Sequence, residues 1–261
     1  MTCSLLIHCF ASLFLFTADD AQHAQMDKPQ MVKLLQLIDG RQRNGGDYKS
    51  QAYIEQKEKD KIDVVREAFV YRRDADDKLI ILFTKPKSEE GKGYLRLDKN
   101  LWYYDPTVGK WERRTERERI AGTDSRRADF DESRLAIEYE PSYEGEKKLG
   151  AFTALAMTLR VKEGTDVAFP VVKLWVDKAT SNILKREEYA LSGKLMRTTY
   201  MPRWKKIYSD SKKTDVWYAQ EMRFYDEIEK ANSTLVLIQA VDLRPLPPNV
   251  FTKAWLESKS R

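Results

Sequence analysis

The spacing of apolar residues divides the chain into one helical segment and a long series of strands. Met31, Leu34, Leu35 and Ile38 recur at i, i+3, i+4 and i+7, which predicts a helix over residues 27–44 with one apolar face. Pro29 is tolerated near its start, and Asn44-Gly45-Gly46-Asp47 ends it. Beyond it, Val64–Tyr71, Lys78–Phe83, Gly93–Leu97 and Leu101–Tyr104 read as strands, separated by turn signals at 74–77, 88–91 and 98–100. A second series follows at about 151–161, 168–177, 182–192, 194–204, 217–228 and 233–243, with tight turns at Asp177–Asn182 and Ser192-Gly193. The run Lys110–Arg119 reads as strand or rim. Prolines at 245, 247 and 248 end the strand series, and Asn249 is placed to cap a short terminal helix within the tail 245–261.

Several strands are apolar on both faces. In one of them Leu155, Met157, Leu159 and Val161 share a face while Ala154, Ala156 and Thr158 share the other; 169–176 and 235–241 behave alike. An antiparallel sheet with one wet face alternates apolar and polar. The second face here must therefore be covered by helices or line an apolar cavity. The fold class expected is mainly β (α+β): an open antiparallel half-barrel sheet, with the N-terminal helix and short helices covering its concave face.

The first residues are of another kind. Ser4 to Phe16 is apolar for about 13 residues, short of the roughly 20 that a membrane-crossing helix needs. It fits the core of a secretory signal, so residues 1–24 are expected to be removed and 25–261 to form one domain. All the cysteines and histidines, Cys3, His8, Cys9 and His23, lie in that leader. The remainder then has no thiol and no imidazole. Thiolate chemistry, His-assisted serine chemistry and the usual zinc sites all need one or the other. No catalytic group, metal site or cofactor is expected, and a binding protein is favoured over an enzyme. The net charge is +5, and loss of Asp19 and Asp20 with the leader raises it, but the bases are interspersed with acids. A nucleic-acid protein shows a concentrated basic stripe instead. No other apolar run approaches membrane-spanning length, so a soluble protein is expected.

Phe83-Thr84-Lys85-Pro86, Gly91-Lys92-Gly93-Tyr94-Leu95 and Leu101-Trp102-Tyr103-Tyr104-Asp105-Pro106 resemble the central motifs of LolA-like outer membrane lipoprotein-sorting proteins. The resemblance continues through Lys110–Arg119, Gly122-Thr123-Asp124-Ser125, Asp129-Phe130 and Leu174-Trp175-Val176-Asp177. Order and spacing carry it rather than any single motif. It implies a periplasmic carrier that holds lipid or lipoprotein acyl chains and passes between an inner-membrane exporter and an outer-membrane acceptor. Leu155, Met157, Leu159, Phe169, Val171, Trp175, Leu235 and Leu237 are the candidate lining, with the inward face of each strand left open. Arg113, Arg114, Arg117 and Arg119 are rim candidates, because arginine pairs bidentately with phosphate or an acidic partner; a solvated, salt-laced face is the alternative. Asp124 lies in a loop, 122–132, expected at the cavity mouth. Trp102 and Tyr104 belong to an aromatic cluster that either grips acyl chains or fills the core. Glu187 and Glu188 point to opposite faces of a strand and do not form an acid/base pair. The competing reading is an envelope sensor or adaptor that binds a membrane transporter or another protein partner without lipid transfer.

Overall fold

The computed structural model describes residues 26–41, 46–97, 100–115, 118–125, 127–130 and 133–260. The expected leader, 1–24, lies outside them. Helix α1 (Lys28–Arg41) starts where the sequence supplies a reciprocal cap. The Gln30 amide donates to Asp27 Oδ1 (2.8 Å) and the Asp27 amide to Gln30 Oε1 (3.0 Å). It buries Met31, Leu35 and Ile38, as the spacing predicts.

Thirteen strands follow: β1 (Asp47–Lys57), β2 (Val64–Arg73), β3 (Lys78–Lys85), β4 (Gly93–Leu97), β5 (Asn100–Asp105), β6 (Lys110–Arg114), β7 (Tyr139–Leu149), β8 (Phe152–Val161), β9 (Val171–Asp177), β10 (Ile183–Tyr189), β11 (Leu195–Ser209), β12 (Thr214–Asp226) and β13 (Ser233–Asp242). They form one antiparallel sheet in the order β6-β5-β4-β3-β2-β1-β13-β12-β11-β10-β9-β8-β7. Every neighbour is consecutive in sequence except β13 against β1, so two meanders meet in the middle. The sheet stays open, with β6 and β7 as its edges.

Both edge strands are charged, and β7 also contains Pro141 and Gly145, with an irregular register at Tyr143/Gly145. These features suit an edge, where one row of backbone groups needs no partner strand. The same features hide a strand from pattern reading. β1 is polar along much of its length for another reason: its wet face carries Lys49, Gln51, Tyr53 and Glu55.

Apolar residues gather on both faces of the sheet. On the inner face Met157, Leu159, Val172, Leu174 and Val176 pack under α1, together with Leu135 of the short helix α2 (Leu135–Glu138). Also on that face, Ala68, Leu79, Ile81, Phe83, Tyr94 and Leu101 pack against Ile120. The outer face of the same strands presents Tyr71, Ile80, Leu82 and Leu95 to Val250, Phe251 and Leu256 of the C-terminal tail. Strand β3 is thus buried on both sides. The tail ends in α3 (Lys253–Lys259), which covers the outer face, whereas α1 and α2 cover the inner one. Its cap is Thr252 rather than Asn249: Thr252 Oγ1 accepts from the Trp255 amide (3.1 Å) and donates to the Asn249 carbonyl (2.8 Å). The capping residue therefore lies three positions after the one expected.

Candidate functional site

Between α1 and the inner face lies an apolar cavity of about 300 Å³, touched by α1 and by every strand from β3 through β1 and β13 to β10. Laid flat, those seven strands would span about 29 Å, so one cavity reaches all of them only because the sheet curls around it. Alternation selects the lining. Ala52 and Ile54 of β1 face Ile238 and Val236 of β13, and Met222 of β12 pairs with Val236; all line the cavity. A volume of this order, mostly apolar with a few polar groups, is that of a small-ligand site.

The chain between the two sheet edges closes one end. Residues 118–125 and 127–130 cross the inner face as a strap between β6 and the far edge, where 133–134 lead into α2 and β7. The Ala121 amide donates to Tyr94 Oη (2.9 Å), and Gln56 Nε2 donates to the Gly122 carbonyl (2.9 Å). Thr234 Oγ1 accepts from the Asp124 amide (2.9 Å) and donates to Asp124 Oδ2 (3.0 Å). Arg119 bridges Asp124 Oδ1 (3.2 Å) and Asp226 Oδ2 (2.5 Å). The deepest clamp is Arg197, only 4% exposed. It donates from Nε to Glu188 Oε2 (2.5 Å), from Nη1 and Nη2 to the two oxygens of Asp129 (2.7 and 2.6 Å), and to the Asp124 carbonyl (3.2 Å). Burial works against its charge, but Asp129 and Glu188 outweigh it and hold the Arg197 pKa well above its ordinary value. Burial pushes Asp124 up, with Thr234 and Arg119 opposing. Ile120, Thr123 and Ser125 of the strap are buried and line that end of the cavity.

The opposite end is open. Strand β11 pairs with β10 only over residues 195–200, and β12 with β13 only over 221–225, whereas β11 and β12 remain paired out to 209 and 214. Residues 203–220 therefore leave the sheet as a two-stranded ribbon, a unit with little stability of its own. Trp204 Nε1 anchors it by donating to the Ile183 (2.9 Å) and Met201 (3.1 Å) carbonyls, and Lys212 Nζ by donating to the Gly40 carbonyl (3.1 Å). Ile207, Val216 and Trp217 of the ribbon and Leu243 after β13 line the cavity here and are partly exposed. Arg41, Arg72, Asp74 and Asn182 complete this mouth.

The residues expected to line a cavity are distributed differently. Met157, Leu159 and Phe169 lie in the core beneath α1, and Leu155 shares their face, two residues from Met157 and opposite Val176. Val171 and Trp175 are on the outer face, where Lys185 Nζ sits 4.5 Å from the Trp175 ring centre. Leu235 and Leu237 also face outward, opposite Glu55 and Tyr53, while their neighbours Val236 and Ile238 face the cavity. Among the rim candidates, Arg119 and Asp124 meet in the strap. Arg114 lies on the β6 edge with its guanidinium 4.8 Å from the Tyr103 ring centre and Nη2 donating to Glu112 (2.7 Å). Arg113 is exposed and pairs in register with Trp102; Arg117 lies outside the described residues. Trp102 and Tyr104 are on the outer face, Trp102 under Lys253 Nζ at 3.9 Å and Tyr104 against Trp111. The loop expected at the mouth closes the other end. Glu188 is buried on Arg197 and Glu187 lies outside with Lys185 and Tyr189, on opposite faces as expected.

Sequence reading missed Arg41, Ile54, Met222 and Val236. The signal was present in β1, where Ala52 and Ile54 alternate with Tyr53 and Glu55, but the strand's polar flanks obscured it. Among the described residues no cluster of carboxylates is placed to hold a metal ion, and no helix is long and apolar enough to cross a membrane.

An open antiparallel sheet curled round an apolar cavity is the fold of LolA-superfamily structures. A domain from Vibrio parahaemolyticus named for outer membrane lipoprotein sorting is 18% identical, covers 87% of this chain and 97% of its own, and superposes with a TM-score of 0.73. A LolA superfamily protein from Nitrosomonas europaea is 19% identical over 85% of this chain and 97% of its own, TM-score 0.67. A DUF1329 family protein from Desulfovibrio piger is 18% identical over 88% and 98%, TM-score 0.74. The chain itself belongs to the DUF1329 family, whose model, described as an uncharacterized protein family, matches residues 75–258. No curated protein matches it in sequence.

Proposed function

We propose that the protein is a non-enzymatic carrier that holds an acyl chain of a lipid or lipoprotein inside the curled sheet. The observation that carries this reading is the apolar cavity, shut by the strap at one end and open beside the ribbon at the other. Each methylene buried there contributes roughly 0.8 kcal/mol, so affinity needs no catalytic group. With residues 1–24 acting as a cleaved secretory signal, the carrier works in the periplasm, taking cargo from an inner-membrane exporter to an outer-membrane acceptor. The likeness to a lipoprotein-sorting domain supports this role.

The test is purification from the native envelope followed by mass spectrometry of what is bound. Stoichiometric lipid or acylated protein is expected. It should be lost in Val236→Arg, which puts a charge into the cavity, and kept in Trp175→Glu on the outer face, with both variants folded. An empty cavity with a co-purifying membrane protein would instead establish an adaptor. Retention of lipid by Val236→Arg would place the cargo elsewhere and defeat the reading.

A further inference from the structure

The two ends of the cavity carry charge in opposite ways. At the strap two arginines meet carboxylates: Arg197 holds Glu188 and Asp129, and Arg119 holds Asp124 and Asp226. At the mouth, Arg41 lines the cavity and donates from Nη1 only to neutral oxygens, the Thr180 carbonyl (2.5 Å) and Asn182 Oδ1 (3.0 Å). Among the described residues it has no carboxylate partner, and its Nε and Nη2 donate no hydrogen bond. Burial lowers the Arg41 pKa, with no acid opposing the effect. The end of α1 explains why a cation is tolerated there, since the last carbonyls of a helix favour positive charge. It does not use the guanidinium edge formed by Nε and Nη2, which is one of the two edges able to grip a planar oxyanion bidentately.

The surroundings add to this excess. Lys212 donates to the carbonyl of Gly40, the residue before Arg41. Arg72 also lines the mouth and lies 3.2 Å from Asp74 Oδ1, the acid lining that end. Among the described residues lining this mouth, Arg41 and Arg72 stand with one carboxylate, Asp74, beside the partly exposed apolar rim of Ile207, Val216 and Trp217. A cation with an unused bidentate edge at the opening of an apolar cavity matches a molecule with a hydrocarbon tail and an anionic head.

We propose that the cavity takes an anionic amphiphile with its tail toward the strap, and that the Nε–Nη2 edge of Arg41, with Lys212 beside it, binds the phosphate or carboxylate of the headgroup. This rests on the carrier reading and names the class of its cargo. The described arginines of Lys110–Arg119 do not line this mouth: they lie on the β6 edge or, for Arg119, pair with acids at the closed end.

The test titrates the full, delipidated chain with dodecyl phosphate, laurate and dodecanol, which share a tail and differ in the head. The two anions are expected to bind about tenfold more tightly than dodecanol, the size expected of one charge-assisted pair. Arg41→Gln, in folded protein, should cost the two anions about tenfold more affinity than dodecanol and so abolish that difference, and Arg41→Lys should restore part of it. The tighter of the two anions identifies whether the source is a phosphate or a carboxylate. Equal affinity for all three in the unmodified protein, or an equal loss for dodecanol in Arg41→Gln, would overturn the headgroup site and leave the carrier reading intact. Inorganic phosphate competing as well as dodecyl phosphate would reduce the site to one for free anions and overturn the amphiphile. Failure of all three to bind would bring down the carrier reading together with this one.

Discussion

Arg197 offers the sharpest test of what holds the strap closed. Its replacement by Met keeps much of the volume and removes four hydrogen bonds, two to Asp129 and one each to Glu188 and the Asp124 carbonyl. Breaking a buried ion pair from one side costs about 3–5 kcal/mol, because the partner carboxylate stays behind uncompensated. Here Glu188, only 1% exposed, keeps Arg186 at 2.8 Å. Asp129 keeps a longer bond from Ser125 Oγ (3.4 Å). Partial compensation places the loss at the lower end, about 3 kcal/mol, equivalent to a melting temperature lower by about 6–12 °C for a chain of this size. Urea unfolding at pH 7 measures it. A cycle with Asp129→Asn should show non-additivity above 1 kcal/mol, as expected of groups in direct contact. Amide exchange over 119–130 should also rise relative to the β-strands, since the strap loses its anchor while the sheet does not. A loss below about 1 kcal/mol with an additive cycle would refute the claim that this pair fastens the strap.

Two further outcomes follow from the C-terminal tail. Asp47 accepts from Arg73 Nε (2.7 Å) and Nη2 (2.9 Å) and from the Leu246 amide; the Arg73 bonds hold its carboxyl below the ordinary value, against burial. A depressed acid stabilises the fold above its unfolded pKa and stops doing so as pH falls through the folded one. Asp47→Asn should therefore cost about 1–2 kcal/mol at pH 7 and show a smaller further loss than the unmodified protein as pH falls below the ordinary carboxylate range. Parallel acid-induced losses in the two proteins would exclude that role. Gly93→Ala would bring a Cβ to 2.8 Å from the Ile81 carbonyl oxygen and 3.0 Å from Leu256 Cδ1. With backbone on one side and the α3 anchor on the other, it should destabilise by about 1–3 kcal/mol in chemical denaturation; an unchanged midpoint would show that α3 yields freely.

Much of the fold was legible because it depends on local periodicity. The α1 face and ten of the strands follow from spacing and turn residues that act within a few positions. The edge strand β7 escaped because an edge tolerates Pro141 and a run of charges, which reads as loop. The candidate site was less legible. Leu235 and Val236 have similar side chains, and only the register with β1 and β12 sends Val236 inward.

The sequence by itself determined a mainly β chain with an N-terminal helix and strands apolar on both faces. Those properties are set by residue type and by neighbours close along the chain. Only the tertiary structure decided which face is concave, which end is shut and where charge goes unpaired. The strap closes its end through Arg197 and Asp129, 68 positions apart, and Arg41 meets Asn182 across 141. Contacts over such separations exist only once the sheet has curled, and no local pattern encodes the direction of that curl.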